Sequence, residues 1–387
     1  MKTLIELYDP SPIRNVLSTV MFRPEEMILL CPPESVDLQE LKRSLHTFFE
    51  HLKCQVKLTI LPVSLLDAGK IERALREVLD SHPDCAIDIS GGTDAALFAT
   101  GAVSGETSVF TYSAPKNTFY EIKNAPFARG LPCSVRLDVA SCLMMVGGTL
   151  LPGRADNAPL LHMFDRIDHL FDIYSKFRRE WNAQISYIQK ISSTEPGALM
   201  AEGPLAVQAG NNKTVDANIG MFESLAGSGL IEDLALSQDR IRFRFADEKV
   251  RFWLRDIGSI LELQVFRACH AAGCFDDVVL SAVVNWQDGA LRRDSVFNEI
   301  DVMAVQGIQP VFISCKTCEI STDALNELAI LRGRFGGKYS RAILATSAVT
   351  TKYRAPMRSR AARLGIELIE WDDLSLDKLV SRLRRDV

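Results

Sequence analysis

Over residues 1–125 the chain alternates short apolar runs with amphipathic stretches, joined by short connections. No other feature constrains its fold as strongly. Residues 3–8 read as a buried strand and 13–21 as a helix. A second strand covers 26–31, and an amphipathic helix over 38–52 begins after Asp37, a side chain suited to accept from the free amides of a helix start. A third strand over 55–62 precedes a helix over 68–79 capped by Asp67. The fourth strand, 85–89, runs straight into Ser90-Gly91-Gly92-Thr93-Asp94 and a helix over 95–101; a fifth strand covers 108–112. This βα order predicts a doubly wound parallel sheet, Rossmann-like, with helices on both faces.

The pattern then changes. Residues 138–146 read as helical, Leu151-Pro152-Gly153 with Pro159 as a linker, and 163–191 as one long helical run. Glu195-Pro196-Gly197 and Gly210-Asn211-Asn212 are turn signals. A short helix over 221–227, followed by alternation over 241–245 and 250–253 around Asp247-Glu248, predicts a hairpin and an arrangement like a small winged helix. Further on, a helix over 254–272 is followed by strands near 278–286, 297–305 and 310–317. A helix over 322–335, a strand over 341–346, a helix over 356–365, a strand over 367–370 and a helix over 374–385 complete the chain. At 387 residues it exceeds what one core serves. The expected division is a sensing domain over 1–150, a helical and hairpin coupling segment over 151–250, and an α/β domain over 251–387.

Composition removes several alternatives. With 47% hydrophobic and 24% charged residues the chain is of globular type. Its longest apolar run, near 143–151, is too short to span a bilayer, and the first nine residues lack the pattern of a signal peptide. The expectation is a cytoplasmic protein with no membrane contact. Its nine cysteines are then reduced thiols. Neither Cys315 with Cys318 nor Cys269 with Cys274 supplies a closed four-ligand zinc set, so both pairs read as core. The net charge of −5 hides a stretch, 328–366, with nine basic residues and no acid: Arg332, Arg334, Lys338, Arg341, Lys352, Arg354, Arg358, Arg360 and Arg363. It is either a phosphate-facing surface or a basic face balanced by acids elsewhere in space.

The densest chemistry lies in Asn298-Glu299-Ile300-Asp301-Val302 and, one tight turn later, Ile313-Ser314-Cys315-Lys316-Thr317. Strand alternation puts Glu299 and Asp301 on one face, and Ser314 and Lys316 on one face of the next strand. Glu299 and Asp301 can address a single cation only if their strand bends there. The run resembles the PD-(D/E)xK nuclease superfamily, whose signature is an acid on one strand and acid-x-lysine on the next. In that resemblance Asp301 is the first acid and Lys316 the lysine, which orients the attacking water or stabilises charge at the phosphate. Ser314 stands where the second acid is expected. The implied metal set is Asp301 with Glu299 from its own strand and Glu262 as the helix acid, holding manganese or magnesium. Against this, Glu262 can be a plain solvent-facing residue, and Asp301 with Lys316 a surface ion pair on a fold that no longer cleaves.

In the first domain, Ser90-Gly91-Gly92-Thr93-Asp94 follows a strand and opens a helix, whose free amides suit an anion. It is neither G-x-G-x-x-G nor a Walker loop. Asp9-Pro10-Ser11-Pro12 ends the first strand, and in a doubly wound sheet the two loops meet at the ligand-binding end. The expected contacts are Ser11, Pro12, Ser90, Gly91, Gly92, Thr93 and Asp94; the alternative is a glycine-rich turn without a ligand. From end to end the chain resembles a CARF-domain nuclease of type III CRISPR defence. The resemblance implies a homodimer that binds a cyclic oligoadenylate, cyclic tetra-adenylate or similar, and then cleaves or nicks DNA or RNA. The competing reading is a nucleotide-sensing, nucleic-acid-binding regulator with a degenerate nuclease site. A small-molecule enzyme ranks last, because no base–nucleophile pair stands near the glycine-rich loop.

Overall fold

The computed structural model describes residues 1–151, 157–208, 214–286, 296–348 and 354–384. Pro152, Gly153, Gly210-Asn211-Asn212, Lys352 and Arg385, which enter the expectations above, lie outside them.

The first domain follows the alternation. Its elements are β1 (Thr3–Leu7), α1 (Leu17–Phe22), β2 (Glu26–Cys31), α2 (Leu38–His51), β3 (Lys57–Pro62), α3 (Ala68–Ser81), β4 (Cys85–Asp88), α4 (Asp94–Val103) and β5 (Ser108–Ser113). Asp37 and Asp67 cap α2 and α3 as expected, accepting from Gln39 N at 2.9 Å and Lys70 N at 3.1 Å. The helix expected over 13–21 is split. Pro12 opens a single 3-10 turn, Pro12–Asn15, before α1 begins. Two antiparallel strands that the sequence reading missed, β6 (Thr118–Lys123) and β7 (Leu131–Pro132), extend the sheet to the order β3-β2-β1-β4-β5-β6-β7. Residues of α1 and α2 pack with Leu4, Met27 and Leu29 on one face; α3 and α4 pack with Ile5, Ile28 and Ile87 on the other. Strand order therefore reverses between β1 and β4, the topological switch point where such sheets take ligands.

The next elements are α5 (Val139–Met144) and β8 (Thr149–Leu150), then α6 (Phe164–Phe177) and α7 (Trp181–Ile191). The run expected as one helix is two, parted at residues 178–180. The break lets Tyr174 and Trp181, both buried, meet edge to face at 5.2 Å. Then come β9 (Met200–Pro204), β10 (Ala206–Gln208), β11 (Thr214–Asp216), α8 (Ile219–Gly227), β12 (Ile231–Leu236) and β13 (Arg240–Phe245). The hairpin is β12–β13, with β9 as a third strand. Its expected second arm, 250–253, instead belongs to the helix α9 (Glu248–Trp253). Asp247 accepts from Val250 N at 2.9 Å, and that cap outweighs the local alternation.

The last part comprises α10 (Ser259–Ala272), β14 (Asp277–Asn285), β15 (Phe297–Gln306), β16 (Gln309–Lys316), α11 (Thr322–Phe335), β17 (Arg341–Thr346), α12 (Arg354–Arg363), β18 (Ile366–Ile369) and α13 (Leu376–Leu383). Its sheet runs β18-β17-β16-β15-β14-β8, so Thr149–Leu150 belongs to this sheet and not to the first. One face packs on α10, α13 and α6. The other packs on α11 and α5, in an apolar core continuous with α1 and α2 of the first domain. Among the described residues no helix is long and apolar enough to cross a membrane.

Candidate active site and sensor loops

β15 and β16 pair from Gln306↔Gln309 to Val302↔Ile313 and then part. Beyond that fork the amide of Cys315 donates not to a strand carbonyl but to the side chain of Asp301. Asp301 Oδ2 accepts from Cys315 N at 2.6 Å, Ser314 Oγ at 3.2 Å and Lys316 Nζ at 3.4 Å. On the other flank Ser281 of β14 faces Asp301, between the pairs Leu280↔Val302 and Ala282↔Ile300, with φ at +52°. A left-handed residue breaks the pleat. Leu280 and Val302 accordingly pack on the α10 side, while Ala282 and Ile300 pack on the α11 side. A bend is what Glu299 and Asp301 would need in order to address one cation.

α10 brings Glu262 to the fork from its first turn. Burial pushes the Glu262 carboxyl up to about 8, helped by the negative charges of Asp301, Asp256 and Glu299 and partly offset by Lys316. At neutral pH it therefore keeps its proton. Burial is the largest single influence on the Lys316 ammonium and lowers it, but the charge and hydrogen bond of Asp301, together with Cys315 and Glu327, turn the net shift upward. The structure thus gathers Glu262, Asp301, Ser314 and Lys316, with Glu299 in electrostatic reach. The sequence reading missed two residues here. Asp256 accepts from Ser259 N and Oγ, each at 2.7 Å; an acid three positions before a helix-opening serine was the available sign. Glu327 of α11 accepts from Asn298 Nδ2 at 3.2 Å and adds to the negative charge around Lys316. Nothing in its local pattern marked it.

At the switch point the loops after β1 and β4 lie against each other. A Cβ on Gly91 would sit 2.5 Å from the Leu7 carbonyl oxygen and 2.9 Å from Asp9 Cβ. Gly92 has φ +95°, and its Cβ would lie 3.0 Å from Leu7 Cβ. The glycines thus have a packing cause of their own. Ser90 donates its hydroxyl to Asp88 and accepts from Tyr112 N at 2.7 Å. Thr93 donates to the Leu65 carbonyl and caps α4 through Ala96 N at 3.2 Å. Both hydroxyls are therefore engaged within the domain. The backbone amides of residues 91–95 meet no acceptor among the described residues, and Asp94 is exposed beside them. Ser11 is buried, its amide on Asp9 Oδ1 at 2.7 Å, and Ser11 and Pro12 face Gly337, whose Cβ would lie 3.4 Å from Pro12 Cδ. Beneath the loops sit two buried acids. Burial and the neighbouring Asp88 hold Glu6 well above the usual carboxylate range; burial raises Asp88 against donors from Ser18 and Ser90.

No family model and no curated protein matches the sequence. Solved structures do match in fold. Protein VC1899 from Vibrio cholerae is 18% identical over 98% of this chain and 96% of that one, with a TM-score of 0.78. Can2 from Sulfobacillus thermosulfidooxidans, solved in complex with cyclic tetra-adenylate, is 15% identical over 99% and 96%, with a TM-score of 0.70. The chain shares the fold of these CARF-domain proteins. A type III CRISPR defence DNA nuclease activated by cyclic oligoadenylate matches more distantly, at 12% identity and a TM-score of 0.52; this chain spans 52% of its length.

On this frame the donor set at the fork is partial. Among the described residues no group of three or more His, Cys, Asp or Glu side chains is placed to hold a metal. Glu262 and Asp301 are two carboxylates with a serine hydroxyl where a third would stand. That set does not make an all-protein cage. It suits only an ion of the magnesium kind, which is commonly held by one or two carboxylates and completed by water and substrate phosphate. The basic stretch is likewise divided in use. Arg341 donates to the Leu383 carbonyl at 3.1 Å and to Glu367 at 3.2 Å, Arg332 to the Gly365 carbonyl at 2.8 Å, and Arg358 to Glu370. Arg360, which donates to Asn326 Oδ1 at 3.0 Å, and Arg363 are exposed on α12. Cys315 is buried and Cys318 exposed, so the C-x-x-C side chains do not share one environment.

Proposed function

We propose that this chain is a cyclic-oligoadenylate-responsive effector of CRISPR antiviral defence whose C-terminal domain binds nucleic acid. The observation that carries the reading is the state of Asp301. Its Oδ2 already receives Lys316, Ser314 and Cys315 N, and no acid stands at position 314 to free it for a metal. Lys316 at the fork and the exposed Arg360 and Arg363 supply cations for phosphate. The activator, cyclic tetra-adenylate in our reading, sits at the switch point, with its phosphates on the amides of residues 91–95 beside Asp94 and the Ser11–Pro12 turn.

The chain acts as a homodimer in the cytoplasm. Leu66, Leu97 and Phe98, which are 78%, 36% and 70% exposed beside the α4 loop, supply an apolar face for the second copy. Phe98→Asp should turn a dimer into a monomer by light scattering; a wild type that is monomeric at micromolar concentration would remove the dimer from the proposal.

One observation favours a second reading, cleavage of DNA or RNA with manganese or magnesium. Burial first, and then the like charges of Asp301, Asp256 and Glu299, raise the Glu262 carboxyl, and a cation would relieve the part that comes from charge. Glu262 and Asp301 would then hold the ion, whose chemistry is to acidify a bound water and neutralise phosphate charge. Labelled single-stranded DNA and RNA, mixed with the full chain and either metal, with and without cyclic tetra-adenylate, decide between the two. Retention without cleavage supports the binding reading, and cleavage the second.

A further inference from the structure

We infer that α11 carries the state of the sensor loop to the C-terminal site, and that the Arg14–Tyr339 contact holds the resting state; this rests on the proposed sensor reading. Arg14 leaves the turn after β1. Its Nη1 lies 3.2 Å from Asp9 Oδ2, its Nη2 donates to the Tyr339 hydroxyl, and its guanidinium sits 5.2 Å from the centre of the Tyr339 ring. Asp9 orders the loop itself. It accepts from Ser11 N at 2.7 Å, and Asn15 holds its amide at 2.7 Å and its carbonyl at 2.8 Å. Gly337 closes the contact against Pro12. A change in the loop is therefore felt at residues 337–339, which directly follow α11.

α11 is roughly 21 Å long and is fastened in its last turn and near its middle. Phe335, in its last turn, packs edge to face on Trp286 at 5.6 Å. It also seats on Gly148, where a Cβ would come within 2.7 Å of the ring. Trp286 Nε1 donates to Asn298 Oδ1 at 2.7 Å, and Asn298 Nδ2 donates to Glu327 at 3.2 Å, about two turns back along α11. Asn298 adjoins Glu299 on β15, three residues from Asp301. Phe335, Trp286, Asn298 and Glu327 close a ring of contacts between the helix and the strand that bears the site. Well-packed groups of this kind do not yield one at a time, so a shift of α11 moves Asn298 with it. An anion at the switch point competes for Arg14, because a guanidinium binds phosphate more strongly than a phenol hydroxyl. Losing Arg14 releases Tyr339 and with it the end of α11.

Two measurements on the full chain test this. Tyr339→Phe keeps the ring and removes the hydroxyl that Arg14 holds. Without any ligand, hydrogen exchange in this variant should quicken over residues 297–301 and 322–329 as well as 337–341; a change confined to 337–341 overturns the coupling. Next, affinity for a labelled single-stranded oligonucleotide is compared with and without cyclic tetra-adenylate. A wild-type response on the order of 10-fold should fall to about 2-fold in Tyr339→Phe, with basal affinity raised and cyclic tetra-adenylate binding kept within about 3-fold. A full wild-type response in the variant also overturns it. A wild type that binds no cyclic tetra-adenylate refutes the sensor reading instead, and the exchange result alone then decides the coupling.

Discussion

Lys316 Nζ lies 3.4 Å from Asp301 Oδ2, at the point where β15 and β16 part, and Asp301 also satisfies the Cys315 amide that the fork leaves without a strand partner. The pair therefore does two jobs, closing a ladder end and presenting a cation.

Asp301→Asn keeps an acceptor for Cys315 N, so the fold should survive. It removes a negative charge beside Lys316, so oligonucleotide binding should tighten while any metal-dependent cleavage is lost. Lys316→Ala should weaken binding and lower the slope of log affinity against log salt by about one. Filter binding across a salt series reads both; a variant with the wild-type slope shows that Lys316 does not meet phosphate.

Glu262 gives a pH signature. Its carboxyl is raised from 4.5 to about 8 in the folded chain, so between those values the folded state holds a proton that the unfolded chain has lost. Stability from this group is complete at acid pH and falls as pH rises across that window, by at most about 1.4 kcal/mol per pH unit. Glu262→Gln titrates nothing. Urea unfolding from pH 5 to 8.5 should show the wild type losing stability faster than the variant, and parallel curves would contradict the assigned shift.

Ser314→Glu places a third carboxylate at the fork, within reach of Asp301. Calorimetry should show manganese binding tighter by on the order of 10-fold, since affinity rises with ligand charge and count. With chelator present the same variant should melt lower than wild type, because the added charge meets Asp301 and Glu262 unrelieved. Weaker manganese binding would mean that the fork cannot use a carboxylate there.

Gly92 separates strain from charge. Gly92→Ala meets Leu7 Cβ at 3.0 Å with φ at +95° and should cost about 1–2 kcal/mol of stability. Gly92→Asp carries the same strain and adds a carboxylate before the amides of residues 91–95. Its affinity for cyclic tetra-adenylate should fall by on the order of 10-fold beyond that of Gly92→Ala, with ligand-free oligonucleotide binding alike in the two. Equal affinities would move the activator elsewhere.

Much of this protein can be read from its sequence because the relevant physics is local. Apolar alternation and capping acids such as Asp37 and Asp67 depend on residues a few positions apart, so β1 to β5 and β17 fall where the pattern puts them. Local rules also failed locally. Alternation over 250–253 yielded to the Asp247 cap, and the run 163–191 broke so that Tyr174 could meet Trp181. The motif residues Asp301 and Lys316 were visible because an acid and a lysine on adjoining strands leave a short signature.

The sequence by itself determined most strands and helices of the first and last parts, which of their faces are apolar, and that Asp301 lies on one strand with Ser314 and Lys316 on its neighbour. Tertiary packing alone decided that Ser90 Oγ accepts from Tyr112 N and that the Thr93 hydroxyl donates to the Leu65 carbonyl. It also brought Asp256 and Glu327 to the site, placed Thr149–Leu150 in the second sheet, and set Arg14 against Tyr339. Periodicity and capping act over a few residues. Burial, charge crowding and side-chain pairing depend on which distant segments the apolar cores press together, and no local pattern records that.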